Sequence, residues 1–124
     1  MKKYDKESVI EQFEKSGPIM YRATLDGDYK VNNKEVKKLI SIFKVFEKNI
    51  EFANECLEIL LTSKNVVVRT KAAAYCLALN QNIDIAERTL EEIMNREENG
   101  IFGFNAKMTL KVWKEKGRLL VYQK

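Results

Sequence analysis

The side chains in this sequence whose type and spacing suit chemistry are lysines. Lys107, Lys111 and Lys114 fall at i, i+4 and i+7, so on a helix they form one stripe. Lys37 and Lys44 stand two turns apart beside Lys34 and Lys38, and Lys71 precedes Tyr75 by one turn. Rows of ammonium groups hold anions, either the carboxylates of an acidic protein surface or a phosphate backbone. They do not by themselves carry out a reaction. The 124 residues include no histidine, which removes the commonest general base, the commonest metal ligand and every Ser-His or Cys-His arrangement. The two cysteines, Cys56 and Cys76, lie inside helical patterns among apolar neighbours and read as buried reduced thiols. With carboxylates alone beside them they make a poor zinc set. No catalytic residue, metal site or cofactor is expected.

The elements that must position these lysines are helices. One proline and five glycines leave little turn punctuation for an all-β fold. The length suits a single domain over residues 1–124, large enough to fold without metal or disulfide staples. Apolar residues at helical spacing predict seven helices, over residues 4–16, 18–25, 33–48, 50–63, 66–80, 84–96 and 102–116. Gly17-Pro18 is expected to stop the first, and Asp26-Gly27-Asp28 to turn the chain after the second. Asn32 or Asn33 would cap the third. Trp113 and Phe104 sit at core spacing in the last. The apolar tail Leu119-Leu120-Val121-Tyr122 suits either docking or a short extended segment. No apolar run approaches the roughly 18–20 residues of a membrane span, and the charged first residues lead into no signal-type core. A cytoplasmic protein is expected.

A shift of 33 residues aligns the fourth helix with the sixth: Ala53 falls on Ala86, Leu57 on Leu90 and Glu58 on Glu91. The following helices align through Ala73 on Ala106 and Leu77 on Leu110. A period of this size marks stacked helix pairs. Between the paired helices stands Asn65-x-x-Val68-Arg69-x-x-Ala72. This motif resembles the HEAT-repeat signature, with Asn65 where an acidic residue is usual. That substitution leaves Arg69 to clamp the helix pair by bonding carbonyls at the preceding helix end. Asn65 and Arg69 are therefore expected to be structural. Together with Gly27-Asp28-x-x-x-Asn32 and Gly103-Phe104-x-Ala106-x-x-Thr109-Leu110-x-x-Trp113, the chain resembles an uncharacterised bacterial family of short HEAT-like proteins. The resemblance implies an all-α fold, an α-α superhelix of about six to seven helices. It also implies, for some members, immunity to a polymorphic or contact-dependent toxin. It implies no catalytic residues.

Charge alternates along the chain. Residues 34–48 carry five Lys against Glu35 and Glu47, a net of +3; residues 66–80 carry +2 and residues 101–117 carry +3. Between them, residues 50–63 carry −3 and residues 83–98 carry −4. In a stack of helix pairs alternate helices line opposite surfaces. The third, fifth and seventh predicted helices would then share one basic face, with Lys37, Lys44, Lys71, Tyr75, Lys107, Lys111 and Lys114 as its contact residues. Its expected occupant is a cognate toxin or another acidic-surfaced protein, occluded by binding. The alternatives are nucleic-acid backbone binding on the same face and a structural oligomerisation unit.

Overall fold

The computed structural model describes residues 4–122 as six α-helices: α1 (Lys6–Asp26), α2 (Tyr29–Lys48), α3 (Ile50–Leu60), α4 (Val66–Ala78), α5 (Ile83–Met94) and α6 (Ile101–Lys116). A 3-10 turn, Glu97–Asn99, leads into the last. No strand occurs among the described residues, and no helix there is long and apolar enough to cross a membrane. The helices pack in consecutive pairs, α1 with α2, α3 with α4 and α5 with α6. Helix α4 is the hub, touching α1, α3, α5 and α6.

The first two predicted helices are one. Helix α1 runs straight through Gly17-Pro18 with Pro18 inside it. A proline there removes one backbone bond and normally breaks a helix. Here Pro18 and Glu14, whose carbonyl loses the bond, both lie on the exposed side, so water can take that carbonyl. On the opposite side Gly17 is buried against α4, and the helix is held on both sides of the proline by α2, α3 and α4. The helix ends ten residues later, at the expected Asp26-Gly27-Asp28 turn, where Gly27 adopts the left-handed conformation (φ 70°) and closes α1 with bonds to Ala23 and Thr24. Helix α2 then starts four residues earlier than expected, capped by Asp28 and not by Asn32 or Asn33. The Asp28 carboxylate accepts from the Val31 N–H at 3.2 Å. The Asp-Gly-Asp turn thus serves both as stop and as start signal.

The joint between α3 and α4 is built from side chains. Asn65 Oδ1 accepts from the N–H groups of Val67 and Val68 at 2.9 and 3.1 Å, which satisfies two of the free donors at the start of α4. Arg69 reaches back, its Nη1 donating to the Ser63 carbonyl at 2.8 Å. Ser63 Oγ donates to Glu14 Oε1 at 2.8 Å and so ties the joint to α1.

The 33-residue period is visible in the packing. Helices α3 and α5 begin at Ile50 and Ile83, and each follows an asparagine, Asn49 and Asn82. Ala53 and Ala86, Leu57 and Leu90, Leu60 and Ile93, Ala73 and Ala106, and Leu77 and Leu110 are all buried in one core. Equivalence ends at the outer faces: Phe52 packs on the core while Ile85 is exposed.

The tail docks. Leu119, Val121 and Tyr122 lie against the core. The Tyr122 hydroxyl donates to Glu47 Oε1 at 2.5 Å, and its ring stands edge-on to Phe43 with Lys44 Nζ 4.9 Å above it. The end of the chain therefore returns to the C-terminal half of α2.

Candidate functional site

Helices α2, α4 and α6 line one groove of about 460 Å³, closed at its back by Met20 and Thr24 of α1. Helix α4 contributes Val67, Thr70, Lys71 and Ala74, all half-buried. Asn32, Asn33 and Val36 come from α2. Phe102, Asn105, Met108 and Thr109 come from α6. No residue of the acidic helices α3 and α5 reaches it.

The groove is held open by aromatic contacts beside it. Phe102 stacks on Tyr21 of α1, ring centroids 4.3 Å apart and nearly parallel, which joins the first helix to the last. Further along α4, Tyr75 meets Phe43 at 4.8 Å and Phe13 at 5.8 Å, both edge-on.

The lysines divide. Among the described residues Lys71 is the only charged one lining the groove. It is half-buried, and among the described residues it makes no hydrogen bond or ion pair. Lys37 is exposed one turn along α2 from Asn33, and Lys111 is exposed three residues beyond Met108, so both stand beside the lining positions. Lys107 is exposed on the same helix. None of these three forms an ion pair among the described residues. Lys44 is exposed but sits over the Tyr122 ring, a cation–π contact that the tail creates. Lys114 turns toward α5, 3.9 Å from Glu91, at an exposure where such a pair is worth little.

Tyr75 is not on this face. Only 2% of it is exposed. It does share a helical side with Lys71, but Phe13 and Phe43 close over that end of α4, and burial pushes its phenol well above the usual tyrosine value. Phe104 departs the other way: its spacing suggests core, yet it is 59% exposed on α6. Trp113 is half-buried against the core. The residues missed from sequence are Asn32, Asn33, Thr70 and Asn105. The available signal was three asparagines in helix interiors, where asparagine is a poor helix former. Asn32 Nδ2 donates to Thr24 Oγ1 at 3.0 Å, and its Oδ1 is buried without a partner.

Burial alone lowers the Lys71 ammonium from the ordinary lysine value of 10.5. The folded chain therefore holds that proton less tightly than the unfolded one. Stability rises with pH between the lowered value and 10.5, and the full cost of the charge is present below it. Lys71→Met, which keeps the stem and removes the charge, is expected to raise the neutral-pH melting temperature by a few degrees, about 1 kcal/mol. That gain should fade as pH approaches 10.5. Thermal melts at neutral and alkaline pH test this; a variant that melts at or below the parent at neutral pH would show that the charge carries no cost.

Burial holds both cysteine thiols in the protonated form at neutral pH. Burial, reinforced by Glu55, pushes Cys56 up to about 11, and burial with Glu58 pushes Cys76 up to about 12. Among the described residues no three His, Cys, Asp or Glu side chains converge to hold a metal ion. What the arrangement offers is a cleft of mixed apolar, amide and hydroxyl lining, with one lysine in it and others beside it that form no ion pair among the described residues. No protein-family model, curated protein or solved structure matches this chain.

Proposed function

We propose that this chain is a non-enzymatic, protein-binding module whose α2–α4–α6 face receives the acidic surface of a partner protein. In its most concrete form it is a cytoplasmic immunity protein that occludes a cognate bacterial toxin. The observation that carries the reading is the charge arrangement. Lys37 and Lys111 stand unpaired on opposite helices flanking the groove, Lys71 stands unpaired inside it, and the acidic helices α3 and α5 are kept out of it. Complementary charge of this kind speeds encounter and disfavours basic partners. The more specific immunity reading rests on the resemblance of the Asn65-x-x-Val68-Arg69 joint and the α6 motif to short HEAT-like proteins. A duplex backbone would need a continuous row of cations, whereas this groove is walled by Val36, Phe102 and Met108.

The test is association kinetics with the product of the neighbouring gene, which this reading expects to be a toxin. The double variant Lys37→Glu/Lys111→Glu should slow association about tenfold at low salt and change dissociation little. An unchanged association rate would remove the face from the reading. No complex with the toxin, together with duplex DNA affinity that falls steeply between low and moderate salt, would replace it with nucleic-acid binding.

A further inference from the structure

Lys71 poses a question that a protein-binding face does not answer. Surface cations suffice to attract an acidic partner, and Lys37, Lys107 and Lys111 already supply them. Lys71 instead sits in a cleft, where its charge is partly stripped of water and has no carboxylate to meet it. A desolvated cation costs free energy until an anion arrives, and it then forms a stronger, charge-assisted bond than an exposed one. The chemistry around it narrows the anion. Among the described residues Lys71 is the single charged group in the lining, which matches one negative charge and not a phosphate dianion. The rest of the lining mixes apolar side chains, Val67 and Ala74 on its own helix and Val36, Phe102 and Met108 on the others, with neutral asparagines and threonines. The volume of about 460 Å³ lies toward the small end of small-molecule sites, which run from roughly 300 to 1,000 Å³.

We infer that the α2–α4–α6 groove is a small-molecule site for an amphipathic monocarboxylate, with the carboxylate on Lys71 and an apolar body of about one ring or a short chain between Val36, Phe102 and Met108. This does not depend on the identity of any protein partner.

The probe is 4-phenylbutyrate, with its neutral amide as the isosteric control, each titrated at millimolar concentrations by amide chemical-shift mapping. The acid is expected to bind the parent protein about tenfold tighter than the amide, with shifts centred on Thr70, Lys71, Ala74 and Asn105. In Lys71→Met, whose fold is checked by circular dichroism, the acid should lose that advantage and bind no better than the amide. In the parent, binding the acid should raise the Lys71 pKa, read from the side-chain resonances, while the amide leaves it unmoved. Equal binding of acid and amide by the parent, shifts that map outside the groove, no saturable binding of either, or an acid preference that survives Lys71→Met would each overturn the proposal.

Discussion

Gly17→Val is expected to destabilise this protein by about 3 kcal/mol or more, the largest effect of any single change outside the aromatic core. A Cβ at position 17 would lie 2.6 Å from Val68 Cγ2 and 2.9 Å from Asn65 Oδ1. Neither neighbour can give way. Val68 is fully buried and β-branched, with one favoured rotamer in a helix. Asn65 Oδ1 is fixed by the two N–H groups it caps, so displacing it frees two donors at the start of α4. The gain of about 1 kcal/mol from replacing a helical glycine with alanine is smaller than these costs, so even Gly17→Ala should be destabilising. Pro18→Ala, one residue on, should move the other way, because it restores the backbone bond to the Glu14 carbonyl on an exposed surface. Urea unfolding of the three variants reads both signs. A neutral Gly17→Ala would show that α1 does not approach α4 as closely as these distances require.

The same position shows why the sequence was read correctly in one respect and wrongly in another. Periodicity and the 33-residue shift located α3, α4, α5 and α6 to within a few residues, because those helices carry apolar stripes at helical spacing, and Asn49 and Asn65 cap α3 and α4 through their side chains. They also placed α2, α4 and α6 on a common side, which the groove lining requires. By local rules Gly17-Pro18 is punctuation. What overrides them is tertiary: a glycine needed for close approach on one side of α1, and a proline harmless on the other. Tyr75 was misplaced for a related reason. Its spacing from Lys71 gives the helical side, but not the rings of Phe13 and Phe43, which come from helices 62 and 32 residues away in sequence. The groove asparagines were read as caps or passed over, since nothing in a single chain marks which polar positions of three separate helices will meet. Lys38 was counted with the surface lysines, although its partner is buried.

That partner supplies the second large effect. Glu35 is only 4% exposed, on the face of α2 that packs against α1. Its Oε1 accepts from Ser16 Oγ at 2.8 Å, and Ser16 Oγ accepts from Gln12 Nε2 at 2.8 Å; its Oε2 accepts from Lys38 Nζ at 3.0 Å. Burial pushes the carboxyl up, but the bonds from Lys38 and Ser16, with the charges of Lys38 and Lys34, outweigh it and hold Glu35 below its ordinary value of 4.5. A carboxyl with a depressed folded-state pKa contributes stability above its unfolded value and loses it as pH falls through the folded one. Lys38→Met shifts the balance. Burial is then opposed only by the Ser16 bond and the Lys34 charge, so the folded-state pKa rises and the ionised carboxylate loses most of its compensation. The variant should lose about 2 kcal/mol at neutral pH, less than the 3–5 kcal/mol of a fully buried pair because the Lys38 side chain is itself 38% exposed. The deficit should shrink as pH falls from the variant's folded-state pKa to the depressed value of the parent, below which Glu35 is protonated in both proteins. Adding Glu35→Gln to Lys38→Met should recover most of the loss, since an amide can keep the Ser16 bond without a charge to compensate. Thermal melts of the two variants at neutral and acid pH test the sequence of effects. A deficit that is the same at every pH would mean that Lys38 acts through packing and not through the buried carboxylate.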